Sequence, residues 1–206
     1  MIILGLILLV VGFFTGISIL TTLGVILLVI GVILAILGAT GAVGRQMLRC
    51  LEERGFPAGE IRLLASARSA GAKLPFGGGE IEVREAGEGS FDGLDIVLGA
   101  VQAPLARRFA PAVAAAGAVF IDNSSAFRLL DEVPLVVPEI NPQDALRHKG
   151  IIASPNCSTT IALVAVNAVN RISPIRAMYA STYQAVSGAG ALGAAELEAQ
   201  TRAVVN

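Results

Sequence analysis

The chain has 206 residues and a net charge of −1, which gives no reason to expect nucleic acid or an anionic surface as a partner. Its two cysteines make neither a disulfide framework nor a metal set and suit a reducing cytosol, and a single histidine excludes a histidine-based metal site. The hydrophobic fraction of 54% and mean hydropathy of +0.74 exceed those of an ordinary soluble domain, and the excess is concentrated at one end.

Residues 1–37 carry no charge, and their polar side chains are Thr15, Ser18, Thr21 and Thr22. As one helix this run would be about 55 Å long against a hydrocarbon core of about 30 Å. A helical hairpin broken at Thr21-Thr22, between Gly16 and Gly24, is the expected arrangement, with residues 1–31 as a membrane anchor. Arg45, Arg49 and Arg54 follow directly, so the positive-inside rule places the rest of the chain in the cytoplasm, anchored to the inner membrane. Val32–Leu37 suits either the end of a membrane helix or the first strand of a parallel sheet, buried on both faces. The strand is preferred, because the residues after it need a folded support.

Those residues are Gly38-Ala39-Thr40-Gly41-Ala42-Val43-Gly44, followed by a helical segment, Arg45–Arg54. Apolar strand, glycine turn and helix together open a dinucleotide-binding unit: glycines let the backbone approach a pyrophosphate, which sits on the helix N-terminus. Taken alone, G-x-x-G-x-x-G also describes an ordinary strand-to-helix turn. Ile61–Ala65 is a second short strand, and Ser66-Ala67-Arg68-Ser69 follows it. An acid near this point would serve a ribose hydroxyl, whereas hydroxyls with an arginine suit a 2′-phosphate, so NADP is favoured over NAD. An exposed polar loop would have the same composition.

Further along, Gly77-Gly78-Gly79 predicts a small hairpin over 73–93, Asp95–Leu98 a third strand and Arg107–Ala116 a helix. Ala118–Ile121 is a fourth strand, ending in Asp122-Asn123-Ser124-Ser125-Ala126-Phe127-Arg128, an anion-binding candidate because α/β sheets keep their sites at strand ends. Leu135–Val137 and Ile151–Ala153 are expected as two more strands. The alternation predicts an α/β fold with a doubly wound, parallel, Rossmann-like sheet. Pro155-Asn156-Cys157-Ser158-Thr159 then puts Cys157 near the start of a helix, Thr160–Val169, where the partial positive charge favours a thiolate nucleophile. A lone cysteine is also a common packing residue.

Taken in order, Gly38–Gly44, Ser66–Ser69, Asp122–Arg128, Pro155–Thr159 and Ser181–Gly190 resemble the motifs of aspartate-semialdehyde dehydrogenases, and the resemblance covers about residues 32–206. The sister family that reduces N-acetylglutamyl phosphate also has a Cys after Pro-Asn, but the run from Tyr183 to Gly190 favours the aspartate enzyme. The resemblance implies an NADP-binding domain over 32–155 and the start of an α+β catalytic domain over 156–206. It implies a reversible phosphorylating oxidation of L-aspartate 4-semialdehyde in amino-acid biosynthesis, through a thioester on Cys157, by a homodimer. Gly38, Thr40, Gly41, Ala42 and Val43 would hold the pyrophosphate, and Ser66, Arg68 and Ser69 the 2′-phosphate. Arg128 and Asn123 would bind substrate, Gln184 would orient it beside Cys157, and Ser187 and Gly188 would lie near the nicotinamide.

Three departures from the pattern bear on activity. The chain stops at Asn206, before the histidine, arginine and lysine that the resemblance implies for a second half, and His148 is expected in an exposed loop where it cannot replace that histidine. Gly99-Ala100-Val101-Gln102-Ala103 is bulkier than the Ser-Ala-Gly-Gly expected there. Residues 1–31 look like a hydrophobic membrane segment joined to a dehydrogenase. An inactive fragment is therefore expected, with a membrane-anchored NADP-binding fragment or a chimeric reading frame as alternatives. The helix Thr160–Val169 and a strand over Ala177–Tyr183 are expected to expose apolar surface.

Overall fold

A computed structural model describes residues 2–17, 19–20 and 32–205. The first element, α1 (Ile2–Thr15), is apolar but only 14 residues long, about 21 Å at 1.5 Å per residue. Among the described residues no helix is long and apolar enough to cross a membrane, so the expected anchor over 1–31 finds no support among them. The hairpin break expected at Thr21-Thr22 and Gly24 lies outside the described residues.

Val32–Leu37 is a strand, β1, and the rest of the sheet is built around it. Alternate side chains point to opposite faces, and both faces are covered, so every position must be apolar. Leu34 and Ile36 pack with Leu63 of β2 (Ala58–Ala65) and Leu48 of α2 (Ala42–Glu53). Ala35 and Leu37 pack on the other face with Val97 of β5 (Ile96–Gly99), Phe120 of β6 (Val119–Asp122) and Phe109 and Val113 of α3 (Ala103–Ala115). Helices on both faces of a parallel sheet make the fold doubly wound, as the alternation predicts.

The sheet has seven strands in the order β3-β4-β2-β1-β5-β6-β7, where β3 is Lys73–Phe76, β4 is Gly79–Glu85 and β7 is Ile151–Ala153. All neighbours are parallel except β3 and β4. The expected hairpin is thus the β3-β4 pair, and β4 carries it onto the sheet edge beside β2. After β1 the chain crosses to one side, to β2, and after β4 it returns to the other side, to β5. The C-terminal ends of β1 and β5 therefore flank the switch point, where open α/β sheets bind ligands.

Two expected strands are absent. Leu135–Val137 contributes a single bridge, Leu135 to Ala153, in which Val136 N donates to Ala153 O and Ala153 N to Pro134 O. Ala177–Tyr183 has no regular structure: among the described residues no neighbouring strand takes its backbone groups. From Cys157 onward the described residues form α4 (Cys157–Asn170), a 3-10 turn at Val186–Ala189 and α5 (Gly190–Val205), with no strand. Neither α4 nor α5 has a buried residue.

Candidate active site

The turn after β1 is shaped by three glycines with different tasks. Gly38 sits at φ +90°, and a Cβ there would collide with the carbonyl oxygen of Ala100. Its N–H and that of Ala39 both donate to the carbonyl of Leu64, at 2.7 and 3.1 Å, tying the turn to the end of β2. Gly41 is the N-cap of α2 and supplies no side-chain cap, so the first N–H groups of the helix stay open toward the cleft. Gly44 is buried in the first turn of α2, where a Cβ would strike Gly38 O and lie 2.7 Å from Ala39 Cα; only glycine lets helix and turn pack this closely. An uncapped helix N-terminus above a tight glycine turn fits a dinucleotide pyrophosphate.

A cleft of about 640 Å³ opens over this turn. Gly41, Ala42 and Val43 line one side, Val101 and Gln102 the next, and Asn123 and Arg128 the floor beyond β6. Cys157, Gln184, Ser187 and Gly188 line the far side. The structure thus gathers most of the residues named from sequence into one cavity. Gly38 and Thr40 belong to the same turn but do not line the cleft, and the Thr40 carbonyl accepts from Arg45 Nε at 3.1 Å. Ser66, Arg68 and Ser69 are outside the cleft, in a 3-10 turn at the C-terminal end of β2, on the same edge of the sheet. Val101 lies beside Gly38, with its Cγ1 2.9 Å from where a Cβ would be, so a side chain at position 38 would meet it.

Cys157 is the first residue of α4, exposed at the helix's positive end. Asn156 caps the helix: its Oδ1 accepts from Ser158 N at 3.0 Å and from Ser158 Oγ at 2.6 Å. Gln184 Nε2 donates to Cys157 Sγ at 3.4 Å, across 27 residues of sequence. Gly188 leaves the room for that amide, since a Cβ would lie 2.6 Å from Nε2. Arg128, half-buried, donates from Nε to Ser154 O at 2.7 Å and from Nη2 to Asn123 O and Pro155 O at 3.0 and 3.3 Å. Its Nη1 has no hydrogen bond among the described residues.

Sequence reasoning named Asp122 only as part of the 122–128 run and gave no separate role to what is the fully buried acid at the end of β6. Burial pushes its carboxyl above the ordinary carboxylate range, while hydrogen bonds from Ser124 and the charges of Arg128 and Arg107 pull the other way. The signal was available: an acid two residues before a serine at a strand end is an Asx-turn pattern. His148, expected exposed, is half-buried, and its Nδ1 accepts from Gly150 N at 3.0 Å. That bond folds the ring back on its own loop and away from the cleft. Among the described residues that line the cleft, Cys157 and Arg128 are the only ionisable ones.

Residues 33–148 match the semialdehyde dehydrogenase NAD-binding domain. The chain belongs to that family. It is 47% identical over 171 residues to an aspartate-semialdehyde dehydrogenase of Synechocystis, covering 83% of this chain and 51% of the relative. It is 46% identical over 172 residues to that of Bacillus subtilis, covering 84% and 50%. Among solved structures it is similar to aspartate semialdehyde dehydrogenase II of Vibrio cholerae, complexed with ASA, at 44% identity and a TM-score of 0.77, covering 85% of this chain and 53% of that one. The chain spans about half the length of the curated relatives it matches.

Proposed function

We propose that this chain carries the cofactor site and the nucleophile of an NADP-dependent aspartate-semialdehyde dehydrogenase, with residues 32–155 as the cofactor domain and 156–206 as part of the catalytic one. The observation that carries the reading is the shared cleft: an uncapped helix N-terminus at Ala42 and Val43, Arg128, and a Cys157 thiol bonded to Gln184.

The open N–H groups of α2 suit the pyrophosphate of a dinucleotide, and Ser66, Arg68 and Ser69, with no carboxylate among them, suit a 2′-phosphate. When bound, the dinucleotide supplies the acceptor or donor of hydride. Cys157 Sγ attacks the aldehyde carbon of L-aspartate 4-semialdehyde, forming the C–S bond. Gln184 Nε2, already beside Sγ, is within reach of the oxygen on that carbon and orients it. Once the carbon is at the thioester level, a phosphate oxygen attacks it, the C–S bond breaks, and the thiol is released with 4-aspartyl phosphate. Arg128, with Nη1 uncommitted, holds the negative charge of substrate or phosphate, and Asn123 stands beside it. In biosynthesis the reaction runs in reverse. Among the described residues that line the cleft there is no carboxylate, lysine or histidine to act as general base, so turnover there is slower by about 10²–10⁴ than at a site with one. Homodimerisation belongs to the same proposal.

The test is a pre-steady-state assay of the full chain with the semialdehyde, phosphate and NADP⁺. A burst of NADPH no larger than one per Cys157, followed by slow release, is expected. A burst that survives Cys157→Ala, or none at all, overturns the reading. For the cofactor, Arg68→Ala should weaken NADP⁺ about tenfold by calorimetry and leave NAD⁺ unchanged; equal loss for both would reject the 2′-phosphate role.

A further inference from the structure

Among the described residues Asp122 is the one fully buried acid; it stands at the end of β6, and the thiol chemistry gives it no task. Burying a carboxylate is costly unless its oxygens are bonded, and here both are. Oδ1 accepts from Ser124 N at 3.1 Å and Oδ2 from Ser124 Oγ at 2.7 Å. Ser124 Oγ in turn accepts from Ala126 N at 3.0 Å, so one carboxylate folds residues 123–126 into a fixed turn. Arg107 Nη2, from α3, reaches the carbonyl of Ala126 at 3.4 Å and braces the turn from behind. The main chain of Asp122 is tied as well: its carbonyl accepts from Ser154 N at 2.8 Å.

Arg128 stands at the end of this turn. Two of its three carbonyl acceptors, Ser154 O and Pro155 O, belong to the short segment that runs from β7 into Asn156 and Cys157. An arginine used only for an anion would keep its donors free; this one commits Nε and Nη2 to the backbone just before the thiol. Asp122, through its own carbonyl and through the turn that delivers Arg128, therefore controls both sides of residues 154–155.

We propose that Asp122 is a positioning residue: it folds the 123–128 turn so that Arg128 grips Ser154 and Pro155, and that grip aims the first turn of α4 and the thiol of Cys157. The proposal rests on Cys157 being the nucleophile, but its test needs no turnover. The full chain is alkylated with iodoacetamide in phosphate-free buffer, and the rates at Cys157 and Cys50 are resolved by mass spectrometry. Cys50, half-buried on α2, reports general loosening.

Asp122→Ala and Arg128→Gln should lower the Cys157-to-Cys50 rate ratio roughly two- to fivefold, the size of a lost helix-terminus field. Arg128→Lys should fail to restore it, because an ammonium cannot span three carbonyls. Asp122→Asn, which keeps an oxygen for Ser124 N, should retain most of it. If Asp122→Ala does not fold, Ser124→Ala and Arg128→Gln carry the same comparison. An unchanged ratio in Arg128→Gln, full rescue by lysine, or parallel changes at both cysteines overturns the proposal. Loss of the NADPH burst in Cys157→Ala is read separately and bears only on the function.

Discussion

At Gly38 a positive φ and a carbonyl directly over the missing side chain both demand glycine, whereas at Gly44 the backbone is helical and only the space is lacking. G-x-x-G-x-x-G is visible in the sequence, but which glycine bends and which packs is not. Asp122 was less legible still, because its carboxylate acts through the turn it fixes at Ser124. Its raised pKa has a stability consequence with a definite sign. Burial raises the carboxyl above its unfolded value, so the folded state holds the proton to higher pH than the unfolded chain does. The contribution of Asp122 to stability is then complete below the unfolded pKa and falls as pH rises through the folded one. Melting curves of the wild type and Asp122→Asn should separate with pH: between neutral pH and about pH 4, the wild type gains relative to the variant as pH drops. A difference that does not change with pH would reject this.

Among the elements, the apolar run of β1 suited a membrane helix as well as a strand buried on both faces, and it was the glycine turn after it that favoured the strand the structure shows. The helices α2 and α3 were readable from their spacing, although both start earlier than expected, at Ala42 and Ala103. Leu135–Val137 and Ala177–Tyr183 have strand-like composition, yet a strand needs a partner ladder, and a partner is a property of the fold rather than of the segment. The start of α4 was readable at Asn156-Cys157-Ser158, since Asn is a strong N-cap. What could not be read was the arrival of Gln184 at the thiol from 27 residues away. The cap can be tested alone: Asn156→Ala should destabilise α4 by about 1 kcal/mol, and Asn156→Asp should keep it. Amide hydrogen exchange in the first turn of α4 measures this directly. The sheet, held by its two core clusters, should keep its exchange rates, and a loss that spreads to β1 would mean that α4 is integral to the core.

For the whole molecule, the distribution of apolar surface is uneven. Residues 32–155 enclose cores on both faces of the sheet, while α4, α5 and the segment between them bury nothing. Ile161, Ile172, Tyr179, Tyr183 and Leu192 are each more than two-thirds exposed, as are Phe13 and Phe14 at the end of α1. Exposed apolar surface on this scale drives association, because covering it removes area from water without disturbing the fold. The 206-residue chain should therefore sediment as a species larger than a monomer at micromolar concentration and bind a hydrophobic dye. Two sets of substitutions identify the surface responsible. Ile161→Glu with Leu192→Glu charges the C-terminal face, and Phe13→Ser with Phe14→Ser removes the aromatic end of α1. None of these residues is in a core cluster, so the unfolding midpoint of the sheet should hold in both. The C-terminal pair has the larger effect if α4 and α5 present the associating face, and a chain that sediments as a monomer at every concentration would show that neither surface drives association.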